Sequence, residues 1–137
     1  MSTSALVLTL FIGWTLALVI VMEVIRSYLT LSGQRSVDGF SPDNAGLSPF
    51  MQRLARVHAN CIEGLPIFGG LLIVALITDQ AVITDPLAPI LIIARLIQSM
   101  IHLGSISPLA IYLRFTAFSV QLIIAAWWAF GLLRVAF

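Results

Sequence analysis

The chain has 137 residues, of which 60% are hydrophobic and only 9% are charged, and its mean hydropathy is +1.07. An ordinary soluble domain is about 45–50% apolar, so this composition predicts an integral membrane protein, and the length allows about four spans of roughly 20 residues in one domain. The net charge of +1 and the lack of lysine leave no basic surface for nucleic acid.

Four apolar runs follow one another along the chain, and each predicts one membrane-spanning helix. The predicted fold is an all-α integral membrane bundle of four transmembrane helices, one domain over residues 1–137, with spans at about 5–31, 49–78, 86–103 and 108–134. Late in the first span, Glu23 and Arg26 stand three residues apart and can pair on one helical face. The stretch SGQRSVDGFSPDNAGLSP predicts the one long loop.

Three of the predicted helices start with the same device, a capping side chain followed by proline. These dipeptides are Ser48-Pro49, Asp85-Pro86 and Ser107-Pro108. The side chain can accept a hydrogen bond from a free backbone N–H, and the N–H that proline lacks would be unpaired at the first helical position anyway. We therefore predict that the second, third and fourth spans begin at these prolines.

Polar residues recur at helical spacing in three of the spans, which places them on one face of each helix. They are Arg53, Arg56, Asn60 and Glu63 in the second span, Arg95, Gln98 and His102 in the third, and Arg114 and Gln121 in the fourth. A charged side chain near a helix centre costs about 2.5–3.5 kcal/mol on insertion scales, and such residues usually mark a functional site. We expect the three stripes to converge and the deepest charges, Glu63 and Arg95, to pair. An alternative is that this pair only fixes the packing of the bundle.

His58 and the single cysteine, Cys61, point away from the polar stripe of the second span. We interpret His58 as an interfacial or hydrogen-bonded histidine and Cys61 as a small packing residue, because no cation is spaced to lower the pKa of its thiol. No two candidate ligands have a zinc-like spacing such as His-x-x-x-His, so no metal site is predicted.

The segment RVHANCIEGLPIF carries a family resemblance. An arginine is followed by asparagine four residues later, glutamate three later, proline three later and phenylalanine two later. This pattern resembles the second-helix signature of the MAPEG family, the membrane-associated proteins in eicosanoid and glutathione metabolism. The number of spans, the long first loop and the arginine on the third helix extend the resemblance over the whole chain. It implies a bundle that assembles as a homotrimer, with glutathione bound between subunits near the cytoplasmic side.

The resemblance also implies roles for individual residues. Arg56, Asn60 and Glu63 match the positions that contact glutathione in the family. Arg35 matches a cationic position that reaches a neighbouring subunit's glutathione, and Arg114 matches the fourth-helix arginine that stabilises the glutathione thiolate. The third helix completes the predicted glutathione-binding set with Arg95, Gln98 and His102. The last two stand where family members often have tyrosines.

The expected function is that of a membrane-bound glutathione-dependent transferase or peroxidase, which acts on apolar electrophiles or lipid hydroperoxides that arrive from the membrane lipids. Glutathione has two carboxylates and one ammonium, and a pocket with several arginines and one glutamate matches these charges. One alternative is a non-enzymatic lipid-binding or scaffold protein of the same fold. Another is a proton or ion pathway, which the apolar far halves of the second and third spans disfavour.

Arginine is distributed unevenly between the connections that join the spans. The first loop and its flanks carry four arginines, one follows the third turn, and the second turn has none. Because cytoplasmic loops carry an excess of Lys and Arg, we expect the first and third loops, and with them the site, to face the cytoplasm. The short turns and the lack of a C-terminal tail suggest a prokaryotic member of the family in the bacterial inner membrane.

Overall fold

Five helices and no strands make up the structure, a computed structural model that describes residues 1–137. In chain order the helices are α1 (Thr3–Leu31), α2 (Pro49–Ile77), α3 (Ala81–Thr84), α4 (Ala88–Gly104) and α5 (Pro108–Ala136). The all-α fold with four main helices is confirmed, and α3 is one additional turn in the second connection. Helices α1, α2 and α5 each have 29 residues and are apolar enough to cross a membrane. The chain is therefore a multi-pass membrane protein.

Helix α4 is shorter, with 17 residues. At 1.5 Å per residue it extends about 25 Å, which is near the lower limit for crossing the hydrocarbon core of a bilayer. It packs most closely against α5, while α1 packs most closely against α2. Large apolar side chains on the outside of all four main helices remain exposed, as expected where the solvent is lipid.

The two helices predicted to start at a Ser-Pro pair have the expected N-cap hydrogen bonds. The Ser48 hydroxyl accepts a hydrogen bond from the Met51 N–H at 3.2 Å, and α2 begins at Pro49. The Ser107 hydroxyl accepts one from the Ala110 N–H at 3.2 Å, and α5 begins at Pro108. These local signals fix both helix starts because every group involved lies within four residues of the chain.

The start of α4 differs from the predicted one at Pro86. The helix begins at Ala88, and its N-cap residue, Leu87, provides no side-chain cap. Asp85 instead adds a second cap to α1, whose N-cap residue is Ser2. The Oδ1 of Asp85 accepts hydrogen bonds from the backbone N–H of Ser4 at 2.7 Å and from the Ser4 hydroxyl at 2.6 Å. A carboxylate is favourable there because the first N–H groups of a helix are unpaired and carry partial positive charge.

A second long-range hydrogen bond joins α2 to α4 at the opposite end of the bundle. The Nε of Arg53, near the start of α2, donates to the carbonyl oxygen of Leu103 in the last turn of α4 at 2.8 Å. The last carbonyls of a helix lack intrahelical partners and carry partial negative charge, so a guanidinium is favourable there. The first loop and the third turn therefore lie at the same end, and the second turn lies with the N-terminus at the other.

The first loop is held against the bundle by the buried Asn44. Arg26 donates to the Oδ1 of Asn44 from Nε at 3.0 Å and from Nη2 at 2.5 Å, and the Nδ2 of Asn44 donates to the Met51 carbonyl at 2.6 Å. Arg26 also forms the predicted ion pair with Glu23 at 3.0 Å. Asn44 has a φ of 57°, a left-handed conformation that asparagine tolerates better than most residues. The loop thus has a defined path above the ends of α1 and α2.

We predict that Asp85→Ala lowers the free energy of unfolding by about 1–2 kcal/mol, the usual cost of losing an N-cap. The change removes both bonds from Asp85 to Ser4. Thermal unfolding of the protein in detergent measures the effect, with Asp38→Ala in the exposed first loop as the matched control. Equal unfolding midpoints for the two variants would contradict the role of Asp85 as a second cap of α1 beside Ser2.

Candidate functional site

A cavity of about 400 Å³ opens between α2, α4 and α5. Its polar lining is formed by Asn60, Glu63, Arg95 and Gln98. Its other walls are Gly64, Ile67, Phe68, Phe118 and Leu122. The volume is within the range of small-molecule sites, and a mostly apolar wall with a few convergent polar groups is typical of them. The stripes of α2 and α4 therefore meet at this cavity.

Arg95 is the most deeply buried charged residue of the cavity, with a relative exposure of 1%. Its guanidinium carbon lies 5.2 Å from the ring centre of Phe11 in α1 and 5.4 Å from that of Phe68 in α2. Aromatic faces attract a cation, by about 2 kcal/mol or more where water is excluded. The two rings therefore hold the guanidinium inside the bundle and offset part of the cost of placing a charge there.

Part of the hydrogen-bonding capacity of Arg95 is not used within the chain. Its Nε and Nη2 are buried and have no hydrogen-bond partner. Buried charged groups in proteins are normally paired, because an unpaired one loses its hydration without replacement. An anion in the cavity beside Arg95 would supply the missing acceptor, so the arrangement has the chemistry of an anion-binding site.

Glu63 does not form the ion pair with Arg95 that the sequence led us to expect. The only ion pair in the structure is that between Arg26 and Glu23. The physical reason is depth: Phe11 and Phe68 hold the guanidinium within the bundle, whereas Glu63 is on an exposed part of α2. Both residues nevertheless line the same cavity, which therefore has a cation and a carboxylate in its wall.

Gln98 and His102 follow Arg95 along α4, and both are buried. The Oε1 of Gln98 accepts a hydrogen bond from the Nε2 of Gln121 in α5 at 2.9 Å. His102 lies beside the cavity in a narrow cleft that it shares with Asn60, Arg95 and Gln98 and that is too small for a water molecule. The structure thus brings His102 close to the polar wall without placing it in the main cavity.

Besides His102, three further predicted site residues lie outside the cavity of a single subunit. Arg35 donates to the carbonyl oxygen of Gly46 and lines a separate hollow beneath the first loop. Arg56 is exposed on α2 and does not line the cavity. Arg114 is half-buried in α5, and its Nε is buried without a partner. Within one chain, the cavity therefore joins only part of the set that the family resemblance implied.

Sequence reasoning did not identify the residues that position Arg95. Phe11 gave no signal, because nothing distinguishes it from the other apolar residues of the first span. Phe68 is the last residue of the RVHANCIEGLPIF signature, so its place in the motif was visible while its contact with Arg95 was not. Gly64 is the third, since a Cβ there would lie 2.8 Å from the Nη2 of Arg95.

The fold and the cavity define a multi-pass membrane protein with an arginine-lined polar cavity among its helices. The chain belongs to the MAPEG family, whose sequence model matches residues 4–134. No curated protein and no solved structure matches the chain significantly. The match extends from the first turn of α1 to the last turn of α5, so the whole helical bundle is the family's domain.

We predict that alanine substitutions at two glycines of α2 change the stability of the protein in opposite directions. In Gly64→Ala the new Cβ would lie 2.8 Å from the Nη2 of Arg95 and 3.0 Å from the Cε2 of Phe68, so overpacking should cost about 1–3 kcal/mol. At Gly70 a Cβ meets nothing within 4 Å, and the better helix propensity of alanine should raise stability by up to about 1 kcal/mol. Thermal unfolding in detergent measures both, and equal midpoints would contradict the close packing of Arg95 on Gly64.

Proposed function

We propose that the protein is a membrane-bound glutathione-dependent transferase or peroxidase that acts on apolar electrophiles or lipid hydroperoxides. The observation that carries the proposal is the buried guanidinium of Arg95, which lines the cavity with two donor nitrogens unpaired. Membership of the MAPEG family supports the same class of activity in general. Glutathione is the co-substrate in this proposal, and its thiol is the nucleophile.

The charges of the cavity fit those of glutathione. A planar guanidinium binds a carboxylate through two parallel hydrogen bonds, so Arg95 is assigned one of the two carboxylates of the tripeptide. Glu63 is assigned the ammonium group, and the amides of Asn60 and Gln98 are assigned its peptide groups. All four side chains line the cavity. A ligand that carries both signs of charge can bind Arg95 and Glu63 at once, because neither is paired within the chain.

The thiolate is assigned to Arg114, as the family resemblance implies. The thiolate rather than the thiol is the nucleophile, and lowering the pKa of a thiol by about two units needs only about 2.7 kcal/mol of differential stabilisation. The buried, unpaired Nε of Arg114 supports the assignment, because a poorly hydrated guanidinium interacts strongly with an anion. Arg95 and Arg114 thus have separate roles, one in binding glutathione and one in activating its sulfur.

Assembly as a homotrimer is part of the proposal. Arg35 and Arg56 lie outside the cavity of their own chain, so they contact glutathione only if it is bound between neighbouring subunits. The bond from Arg53 to Leu103 puts the arginine-rich first loop and the third turn at one end of the bundle. By the positive-inside rule this end faces the cytoplasm, where glutathione is available, and in a bacterium the membrane is the inner one.

We predict that glutathione added to the detergent-purified protein produces an ultraviolet difference absorbance at the thiolate band. Arg114→Ala should abolish the thiolate band while glutathione still binds. Arg95→Met should weaken binding itself by about 10–100-fold, because a hydrogen bond to a charged group contributes about 1.5–3 kcal/mol. The matched control is Arg134→Ala, which removes an arginine from the other end of α5 and should change neither property.

The outcomes separate the proposed enzyme from the non-enzymatic alternative. Absence of glutathione binding by folded, trimeric wild-type protein would reject the proposal and leave a lipid-binding or scaffold protein of the same fold. Binding with an unchanged thiolate band in Arg114→Ala would reject the role of Arg114 alone. Binding that is unaffected in Arg95→Met would reject the assignment of the cavity as the glutathione site.

A further inference from the structure

Gln121 of α5 is completely buried and makes two hydrogen bonds through one atom. Its Nε2 donates to the carbonyl oxygen of Ala117 at 3.0 Å and to the Oε1 of Gln98 at 2.9 Å. Its own Oε1 has no partner. An unpaired buried oxygen lowers stability, because it loses its hydration without compensation, so another role of this amide is worth seeking.

These contacts determine how both glutamine amides are oriented. The oxygen and nitrogen of an amide have nearly the same shape, so the orientation has to be inferred from the bonding partners. The backbone carbonyl of Ala117 can only accept, and Gln121 must therefore turn Nε2 toward it. The same Nε2 contacts Gln98, which must then present its oxygen. The Nε2 of Gln98 consequently points away from Gln121.

The free nitrogen of Gln98 belongs to a side chain that lines the cavity. Gln98 contributes to the main cavity together with Asn60, Glu63 and Arg95, and the only hydrogen bond of its side chain is the one from Gln121 to Oε1. Its two N–H donors therefore remain for a ligand. Beside the unpaired donors of Arg95, they enlarge the part of the wall that can bind an oxygen anion.

We propose that Gln121 is a positioning residue that turns the Nε2 of Gln98 into the cavity, where it donates to a carboxylate or carbonyl oxygen of the ligand. Gln121 does not touch the ligand and acts through Gln98. The orientation of the two amides is independent of the ligand's identity. Only the choice of glutathione as the ligand rests on the proposed function.

The orientation can be tested without any ligand. The chain has five glutamines, so selective ¹⁵N-glutamine labelling gives five side-chain amide signals, and Gln98→Leu identifies the one of interest. In the wild-type protein the amide protons of Gln98 should exchange rapidly with water in the polar cavity. In Gln121→Glu the new carboxylate accepts a hydrogen bond from Gln98, so its amide turns round and exchange should slow at least tenfold. Slow exchange in the wild type would overturn the proposal.

The consequence for binding is tested by a double-mutant cycle on the full-length protein, with glutathione as the probe. Gln121→Glu should weaken binding at least tenfold when Gln98 is present and should have no further effect in the Gln98→Leu background. Gln121→Met, which adds no charge, should weaken binding several-fold and show the same dependence on Gln98. Equal losses in both backgrounds would mean that Gln121 acts through charge or packing, and would overturn the positioning role.

The binding and exchange measurements distinguish failure of the proposed function from failure of the positioning role. Absence of glutathione binding by the wild-type protein would reject the proposed function, and the exchange measurement would still decide the orientation of Gln98. Rapid exchange in both the wild type and Gln121→Glu would reject the positioning role even if glutathione binds. Thermal unfolding of Gln121→Met serves as the control, because a cooperative transition well above the assay temperature shows that any loss of binding is not a loss of the fold.

Discussion

The burial of one guanidinium constrains the rest of this structure. A charge at this depth is unfavourable in a membrane, and Arg95 receives no compensating carboxylate from its own chain. Instead, the rings of Phe11 and Phe68 lie 5.2 and 5.4 Å from its guanidinium carbon, and Gly64 leaves space for its Nη2. Three helices must pack at a fixed distance to make these contacts. The position of α1 and α2 relative to α4 is therefore set by a cation, even though most of the core is apolar.

The cavity follows from this arrangement. Aromatic rings satisfy the faces of a guanidinium but provide no acceptors for its N–H groups, which lie in its plane. The Nε and Nη2 donors of Arg95 thus remain unpaired, and polar groups of α2 and α4 surround the same space. A site of this kind is prepared for its ligand before the ligand arrives, because the aromatic packing fixes the guanidinium in advance. Less rotamer freedom is then lost on binding.

Periodicity and local capping signals were sufficient for much of the fold. The four main helices, the starts of α2 and α5, the Glu23–Arg26 pair and the convergence of Asn60, Glu63, Arg95 and Gln98 could all be predicted. Spacing defines the face of a helix on which a residue lies, but not its depth or its partner. For this reason the absence of a Glu63–Arg95 pair could not be foreseen. Nor could the bond between Ser4 and Asp85, which lie 81 residues apart.

The absence of a side chain at Gly64 has a consequence for reading related sequences. The Nη2 of Arg95 occupies the space that a Cβ would fill, so position 64 and the third-helix arginine form one structural unit. In a related chain with a larger residue at this position, the end of the arginine side chain has to shift away from α2. The identity of a single residue next to the signature glutamate thus distinguishes chains in which the arginine is sequestered from those in which it is displaced.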